Sequence, residues 1–376
     1  MPKIQRFMLW CALWMAALAW ATSRAGAADG DERVDMNRAR ELNQKSQRGE
    51  KLTPDEQAYL EKARQQRQGG GGQGPPGGGL TPKESTGQIP LTELGTGAYK
   101  GEDGGLYGGG KNEPPEALQA AAKKELAQIQ TLDAQGQPAA DGKIVLVSIS
   151  MSNATQEFQV FKGLADKDPE KSPKLTIVDC AQGGKAMAQW VDPNAPPWTE
   201  AERRIQAAGV TPQQIQVAWI KLANMGPRGE LAEHGKKLEA DTGKVVNNAK
   251  KKFPNLRIAY LSSRIYGGYA TGNLNPEPYA YEGAFSTRWL ILDQLKGKAE
   301  LNYDPAKGEV KAPLLLWGAY LWGDGTTPRK SDGLVWKRED LGNDGVHPSA
   351  SGREKVAQLL LKFFKTDANA KSWFLK

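Results

Sequence analysis

Lys143-Ile144-Val145-Leu146-Val147-Ser148-Ile149, followed at once by Ser150-Met151-Ser152-Asn153, is the stretch that decides the fold. An unbroken run of aliphatic and β-branched residues has no polar side to offer to water. As a strand it must be covered on both faces. Four later runs repeat the pattern: Leu175-Thr176-Ile177-Val178-Asp179-Cys180, Ile215-Gln216-Val217-Ala218-Trp219-Ile220, Leu256-Arg257-Ile258-Ala259-Tyr260-Leu261 and Leu314-Leu315-Leu316-Trp317-Gly318-Ala319-Tyr320. Helical periodicity precedes the first run at 117–132. It returns at 157–165, 185–190, 199–208, 230–252, 281–296 and 349–365. Strands alternating with helices predict an α/β fold, a three-layer α/β/α sandwich on a five-stranded parallel sheet. Ligands of such sheets sit at the carboxyl ends of the strands, so the loops after each run are where chemistry is expected.

Upstream of this core (143–365) the chain changes character three times. Lys3 and Arg6 precede an apolar run at 7–21, and Ala25-Gly26-Ala27 supplies a small-x-small cleavage signal. This predicts a signal peptide over 1–27, a mature chain starting near Ala28, and a secreted or periplasmic location. The run is short for a bilayer span, so no stable membrane span is expected once the leader is removed. Residues 28–68 are polar and rich in helix formers. Thr53-Pro54-Asp55-Glu56 reads as an N-cap, a proline at the first helical position and a capping glutamate. A small helical hairpin is expected there, with Leu42, Leu52, Tyr59 and Leu60 as its apolar contacts, either docked on the main domain or serving as an interaction arm. Residues 69–79 contain eight glycines and two prolines, a flexible linker. The main domain then spans 80–376. Its first part, 80–115, is glycine-rich and reads as a surface segment wrapping the domain. Gly105 to Lys111 fits the spacing of a phosphate-binding loop. Asn112 stands where the metal-binding hydroxyl belongs, and no apolar strand precedes it.

The chain of 376 residues carries a formal charge of +7. Losing residues 1–27 removes Lys3, Arg6 and Arg24 and no carboxylate. The remaining excess is mild, and no basic run interleaves with aromatics, so nucleic-acid binding is not expected. Of two cysteines only Cys180 survives that cleavage. With no Cys/His cluster, neither a disulfide nor a structural zinc site is expected, and no cofactor is implied.

The strand-end loops supply a serine, glycines with free amides, and an asparagine: Ser152 after the first run, Gly183-Gly184 after the second, Asn224 after the third. The loop before the last helix carries Asp344-Gly345-Val346-His347-Pro348-Ser349. Singly, each is a helix cap or a turn residue. Jointly, they supply a nucleophile, a base with its orienting acid, and donors for an oxyanion. This ordered set resembles the SGNH/GDSL hydrolase superfamily over about 143–365. The resemblance implies a flavodoxin-like fold and a serine esterase without cofactor. It implies Ser152 as nucleophile, His347 as base, Asp344 as its partner, and Ser152, Gly184 and Asn224 as the oxyanion hole. The chain departs from the family's blocks at Ser150, Met151 and Met225, where the family places a glycine and two acids. Ser150 is a rival nucleophile. His234, the only other histidine, lies in a charged helical stretch and is expected to be solvated.

Arg264, Tyr266, Tyr281 and Trp322 follow the fourth and fifth runs and are candidates for substrate binding, the aromatics by stacking on sugars and Arg264 by holding a carboxylate. The expected activity is hydrolysis of carboxylic esters, with O-acyl groups on carbohydrates as the favoured substrate. Lipid esters, thioesters, or a non-catalytic glycan- or partner-binding module on the same fold are the alternatives.

Overall fold

The structure is a computed structural model. It describes Asp35, Arg38, Ala39, Leu42, Lys45, residues 52–69 and residues 80–376. The expected leader and the linker beyond Gly69 lie outside the described residues. Two compact units divide the chain, Met1–Pro76 and Gly77–Lys376.

In the first unit, helix α1 (Pro54–Gly69) opens with the capping box its sequence announces. The Glu56 N–H donates to Thr53 Oγ1 at 3.3 Å, and the Thr53 N–H donates back to Glu56 Oε2 at 2.8 Å. Leu60 and Ala63 bury against Ala39 and Leu42, with Leu52 and Tyr59 packed at the margin.

The second unit is built on strands β3 (Ile144–Ser150), β4 (Leu175–Asp179), β5 (Ile215–Lys221), β6 (Ile258–Leu261) and β7 (Leu314–Trp317). They form one parallel sheet in the order β4-β3-β5-β6-β7. Every residue of β3, β5, β6 and β7 is buried, as their unbroken apolar runs require. The chain lays β4 on one side of β3 and then crosses to the other side to place β5. A crevice opens where the order reverses, at the carboxyl ends of β3 and β5. Helices α2 (Glu116–Leu126), α3 (Ser152–Ala165), α4 (Met187–Val191), α5 (Pro196–Ala207), α6 (Leu231–Lys252), α7 (Tyr279–Leu295), α8 (Ala350–Thr366) and α9 (Lys371–Phe374) complete the domain. Helix α3 packs on α8, and α6 on α7. Phe158 of α3 stacks on Trp219 of β5 with centroids 5.3 Å apart, tying a helical layer to the sheet. The expected fifth strand runs too long: after Trp317 the Gly318 N–H still bonds to Leu261 O at 2.8 Å, and then the chain leaves the sheet. Helix α2 also stops short of the expected 132, because Leu132 pairs with Lys143 instead.

Residues 80–115 wrap the domain as an extended strap. Asp324 fastens it: Oδ1 accepts from the Thr86 N–H at 2.7 Å and the Thr86 hydroxyl at 2.6 Å. Its other oxygen accepts from the Gly87 N–H at 2.9 Å and from the Ser85 hydroxyl. A short antiparallel pair follows, β1 (Ala98–Tyr99) with β2 (Glu102–Asp103), and Arg288 of α7 binds the Glu102 and Asp103 carboxylates. The phosphate-loop spacing at 105–111 is a closed turn: Tyr107 N–H donates to Lys111 O at 3.0 Å, and Gly110 N–H to Gly104 O at 2.9 Å. Its amides are spent within the strap, and no helix starts there. Among the described residues no helix is long and apolar enough to cross a membrane.

Candidate active site

Ser152 is the first residue of α3, directly beyond β3. Met151 occupies the N-cap position with extended backbone and without a side-chain cap bond. Ser152 is therefore not the helix cap its position suggested. A residue at the first helical position has no intrahelical acceptor for its N–H. Ser152 lines the crevice at the positive end of the helix, where negative charge is favoured.

The partner loop comes from the far end of the chain. The Asp344 side chain folds back on its own turn: Oδ1 accepts from the Val346 and His347 N–H groups, each at 3.0 Å. Its other oxygen, Oδ2, lies 2.5 Å from His347 Nδ1. Nε2 of the same ring is 2.7 Å from Ser152 Oγ. Serine, imidazole and carboxylate thus form one continuous hydrogen-bonded chain. Burial works against the Asp344 charge, but the bonds from the His347 ring, the His347 N–H and the Val346 N–H outweigh it. They hold the carboxyl well below the usual range. An ionised Asp344 fixes Nδ1 as the protonated nitrogen, which leaves Nε2 free to accept from the serine. The turn depends on Gly345, at φ +66°. A Cβ there would sit 1.8 Å from the Tyr269 carbonyl oxygen.

A pocket of about 270 Å³ opens beside Ser152. Gly184, Asn224 and His347 line it, as do Arg264, Asn153 and Asn275. Asn224 Nδ2 is buried and meets no acceptor among the described residues. Gly184, at φ +70°, turns the loop after β4, and a Cβ would meet nothing within 4 Å. Its conformation, rather than crowding, calls for glycine. At the mouth, Met225 is 65% and Leu274 41% exposed. A neighbouring groove of about 410 Å³, reaching Arg228 and Lys237, shares Ala186, Gln189, Asn224 and Met225 with the pocket.

The sequence-derived candidates separate into two groups. Ser152, Gly184, Asn224, His347 and Arg264 meet at the pocket, with Asp344 behind His347. Tyr266, Tyr281 and Trp322 do not. They are buried and pack on one another, with Tyr281 and Trp322 centroids 4.7 Å apart. Their polar ends point away from the crevice. Tyr266 Oη donates to Lys83 O and Tyr281 Oη to Ile89 O, each at 2.8 Å, while Trp322 Nε1 donates to Glu277 at 2.8 Å. The two tyrosines hold the strap, and Trp322 packs against both of them rather than facing a sugar. Ser150 is also displaced as a rival nucleophile, since it is fully buried and donates to the Lys221 carbonyl. His234 is not solvated: 8% exposed, it bonds Glu282 through Nε2 and meets Tyr279 edge-on. Glu282 in turn accepts from the Tyr99 hydroxyl at 2.6 Å, so this histidine serves packing under the strap.

Two pocket residues escaped sequence reasoning. Asn153 is 1% exposed and neither side-chain polar atom has a partner among the described residues. Its burial also removes the Asn153-Ala154-Thr155 sequon from use. Its place beside Ser152 was the available signal. Asn275, at φ +84° and with a partnerless Oδ1, sits in a polar turn that carries no signal of its own.

No family profile matches the sequence, and no curated protein matches it. Among solved structures, the chain is similar to a provisionally assigned acylhydrolase from Bacteroides fragilis. The identity is 14% and the TM-score 0.35, over 66% of this chain and 97% of that one. It is also similar to the periplasmic domain of a lipopolysaccharide acetyltransferase from Salmonella ser. Paratyphi A, at 14% identity and TM-score 0.32, over 65% of this chain and 94% of that one. A third is a protein from Arabidopsis thaliana, at 13% identity and TM-score 0.29, over 50% of this chain and 58% of that one. The functional reading rests on the residues above.

Proposed function

We propose that this chain is an exported serine hydrolase of the SGNH kind that cleaves carboxylic esters, with O-acyl (acetyl) groups on carbohydrates as its substrate. The observation that carries the reading is the unbroken path from Ser152 Oγ through His347 to Asp344, at 2.7 and 2.5 Å. In the reaction, Ser152 Oγ attacks the acyl carbon as His347 Nε2 takes its proton. The same nitrogen then gives that proton to the departing alcohol, leaving an acyl-serine. A water, deprotonated by His347, attacks the acyl-serine and releases the acid, and the proton returns to Ser152. Asp344 holds the imidazolium through both steps. The tetrahedral oxygen is met by the N–H groups of Ser152 and Gly184 and by Asn224 Nδ2. The groove running on from the pocket suits an extended, hydrated substrate such as a glycan, with the acyl group in the pocket.

The test is hydrolysis of p-nitrophenyl acetate and of acetylated sugars by wild type and Ser152→Ala. Wild type is expected to turn over with a burst, and the variant to lose at least ~10³-fold in kcat/KM. An inactive wild type, or a variant of equal activity, removes the hydrolase reading and leaves a binding module on this fold.

A further inference from the structure

Arg264 follows β6 and lines the floor of the Ser152 pocket. It is 3% exposed, yet Nε and Nη2 meet no acceptor among the described residues. A buried guanidinium ordinarily holds a carboxylate or several carbonyls, because its charge is costly to desolvate alone. Burial indeed pushes its pKa down, while Glu157, Glu277 and Asp344 pull the other way through space. None of the three is ion-paired with it. Glu157 is paired with Lys221 through Oε2, and its Oε1 is buried with no hydrogen-bond partner, Arg264 included, among the described residues. Glu277 spends its oxygens on the Gly267 N–H, the Tyr281 N–H and Trp322 Nε1. Asp344 is committed to His347. Lys221 adds a second buried cation to the same neighbourhood.

The orphaned donors have company. Asn153 contributes a free Nδ2 and Oδ1, and Asn275 a free Oδ1, from the same pocket wall. A guanidinium and an amide offer donors to an anion, and the two amide oxygens can accept from neighbouring hydroxyls. A carboxylate with hydroxyls near it matches this set; a neutral apolar acyl chain would leave every one of these groups unpaired.

We propose that Arg264, with Asn153 and Asn275, forms a subsite for a carboxylate on the ester substrate, so that the substrate class is acidic. The carboxylate has two chemical sources, the sugar, as in an O-acetylated uronate, or the acyl group, as in a half-ester of a dicarboxylic acid. The proposal deepens the hydrolase reading and rests on it only for the word substrate, since anion binding does not need turnover.

The experiment uses the full chain carrying Ser152→Ala, which keeps Arg264 in place, and measures binding by calorimetry. One arm compares a methyl O-acetyl-glucuronoside with the matching O-acetyl-glucoside. The other compares methyl hydrogen succinate with methyl butyrate. In one arm the charged ligand is expected to bind at least ~10-fold tighter than its neutral counterpart, as a charge-assisted bidentate contact provides. Adding Arg264→Met should abolish that preference, and Arg264→Lys should keep part of it. In enzyme with Ser152 intact, the kcat/KM ratio of charged over neutral ester should follow the same pattern. Equal binding in both arms overturns the subsite. That is the result expected if water alone satisfies Arg264 through the void of about 10 Å³ behind it. A charge preference that survives Arg264→Met overturns it too. Charge-selective binding without hydrolysis of any ester would remove the hydrolase reading and leave the subsite standing.

Discussion

Asn224 presents to the pocket a side-chain Nδ2 that meets no acceptor among the described residues. Asn224→Ala therefore takes one donor from the proposed oxyanion hole and little from the core. Its kcat is expected to fall ~10²–10³-fold with KM nearly unchanged and the thermal midpoint in place; a variant with full kcat would remove this amide from the reaction. Ser150 lies two residues from Ser152, the proposed nucleophile, and gives the contrast. Its hydroxyl is bound to the Lys221 carbonyl, so Ser150→Ala should keep its turnover and lose about 1 kcal/mol of stability, read by urea denaturation. At this scale the sequence was most informative where chemistry demands a rare residue in a fixed order. Ser152, Asn224, Asp344 and His347 were legible because each follows a strand or heads the last helix. Arg264 was legible as a cation and not as an unpaired one. Asn275 was invisible and Asn153 was marked only by its place beside Ser152, because a missing partner is a property of packing that no local pattern encodes.

Among the elements, the turn between Gly342 and Pro348 is the one on which geometry depends most. It is locked by Gly342 N–H to His347 O at 2.7 Å and by Thr271 N–H to Asp344 O at 3.1 Å. Gly345→Ala would drive a Cβ into the Tyr269 carbonyl, shifting Asp344 against His347. A drop of ~10²-fold in kcat is expected from displacement of that order, measured alongside circular dichroism to show that the fold persists. Wild-type kinetics in this variant would mean the turn tolerates the shift. The five strands could be read from their apolar runs, because a doubly covered strand needs a continuous one. Their ends could not: β7 stops where Gly318 lets the chain peel away from β6. Nor could the roles of Tyr266, Tyr281 and Trp322 be read. Each of the two tyrosines bonds the strap about 190 residues away in sequence, and a stacking ring looks the same in sequence as a packing ring.

For the whole molecule, the buried Glu277 makes stability depend on pH. Burial dominates over the bonds it accepts and raises its carboxyl from an ordinary 4.5 to about 7. The folded state then holds a proton that the unfolded chain gives up near pH 4.5. The contribution is complete below that pH and is lost as pH rises through about 7, amounting to on the order of 3 kcal/mol. Denaturant midpoints should fall between pH 5 and pH 8, and Glu277→Gln should flatten that slope. An unchanged slope in the variant would assign the dependence to other groups. Asp324, a few residues beyond Trp322, makes a matching prediction about integrity. Asp324→Ala strips the strap of one of its anchors, with about 2–3 kcal/mol lost and proteolysis expected first at 82–90, followed by mass spectrometry. Cleavage elsewhere first would place the weak point outside the strap.

That anchor also sets where a pull on the chain is felt. Tension arriving from the N-terminal side of residue 80 meets the Asp324 knot before it can reach β3, and the knot shares that load among four hydrogen bonds. Ser152, at the end of β3, is shielded from that load in the way a cable clamp shields a solder joint.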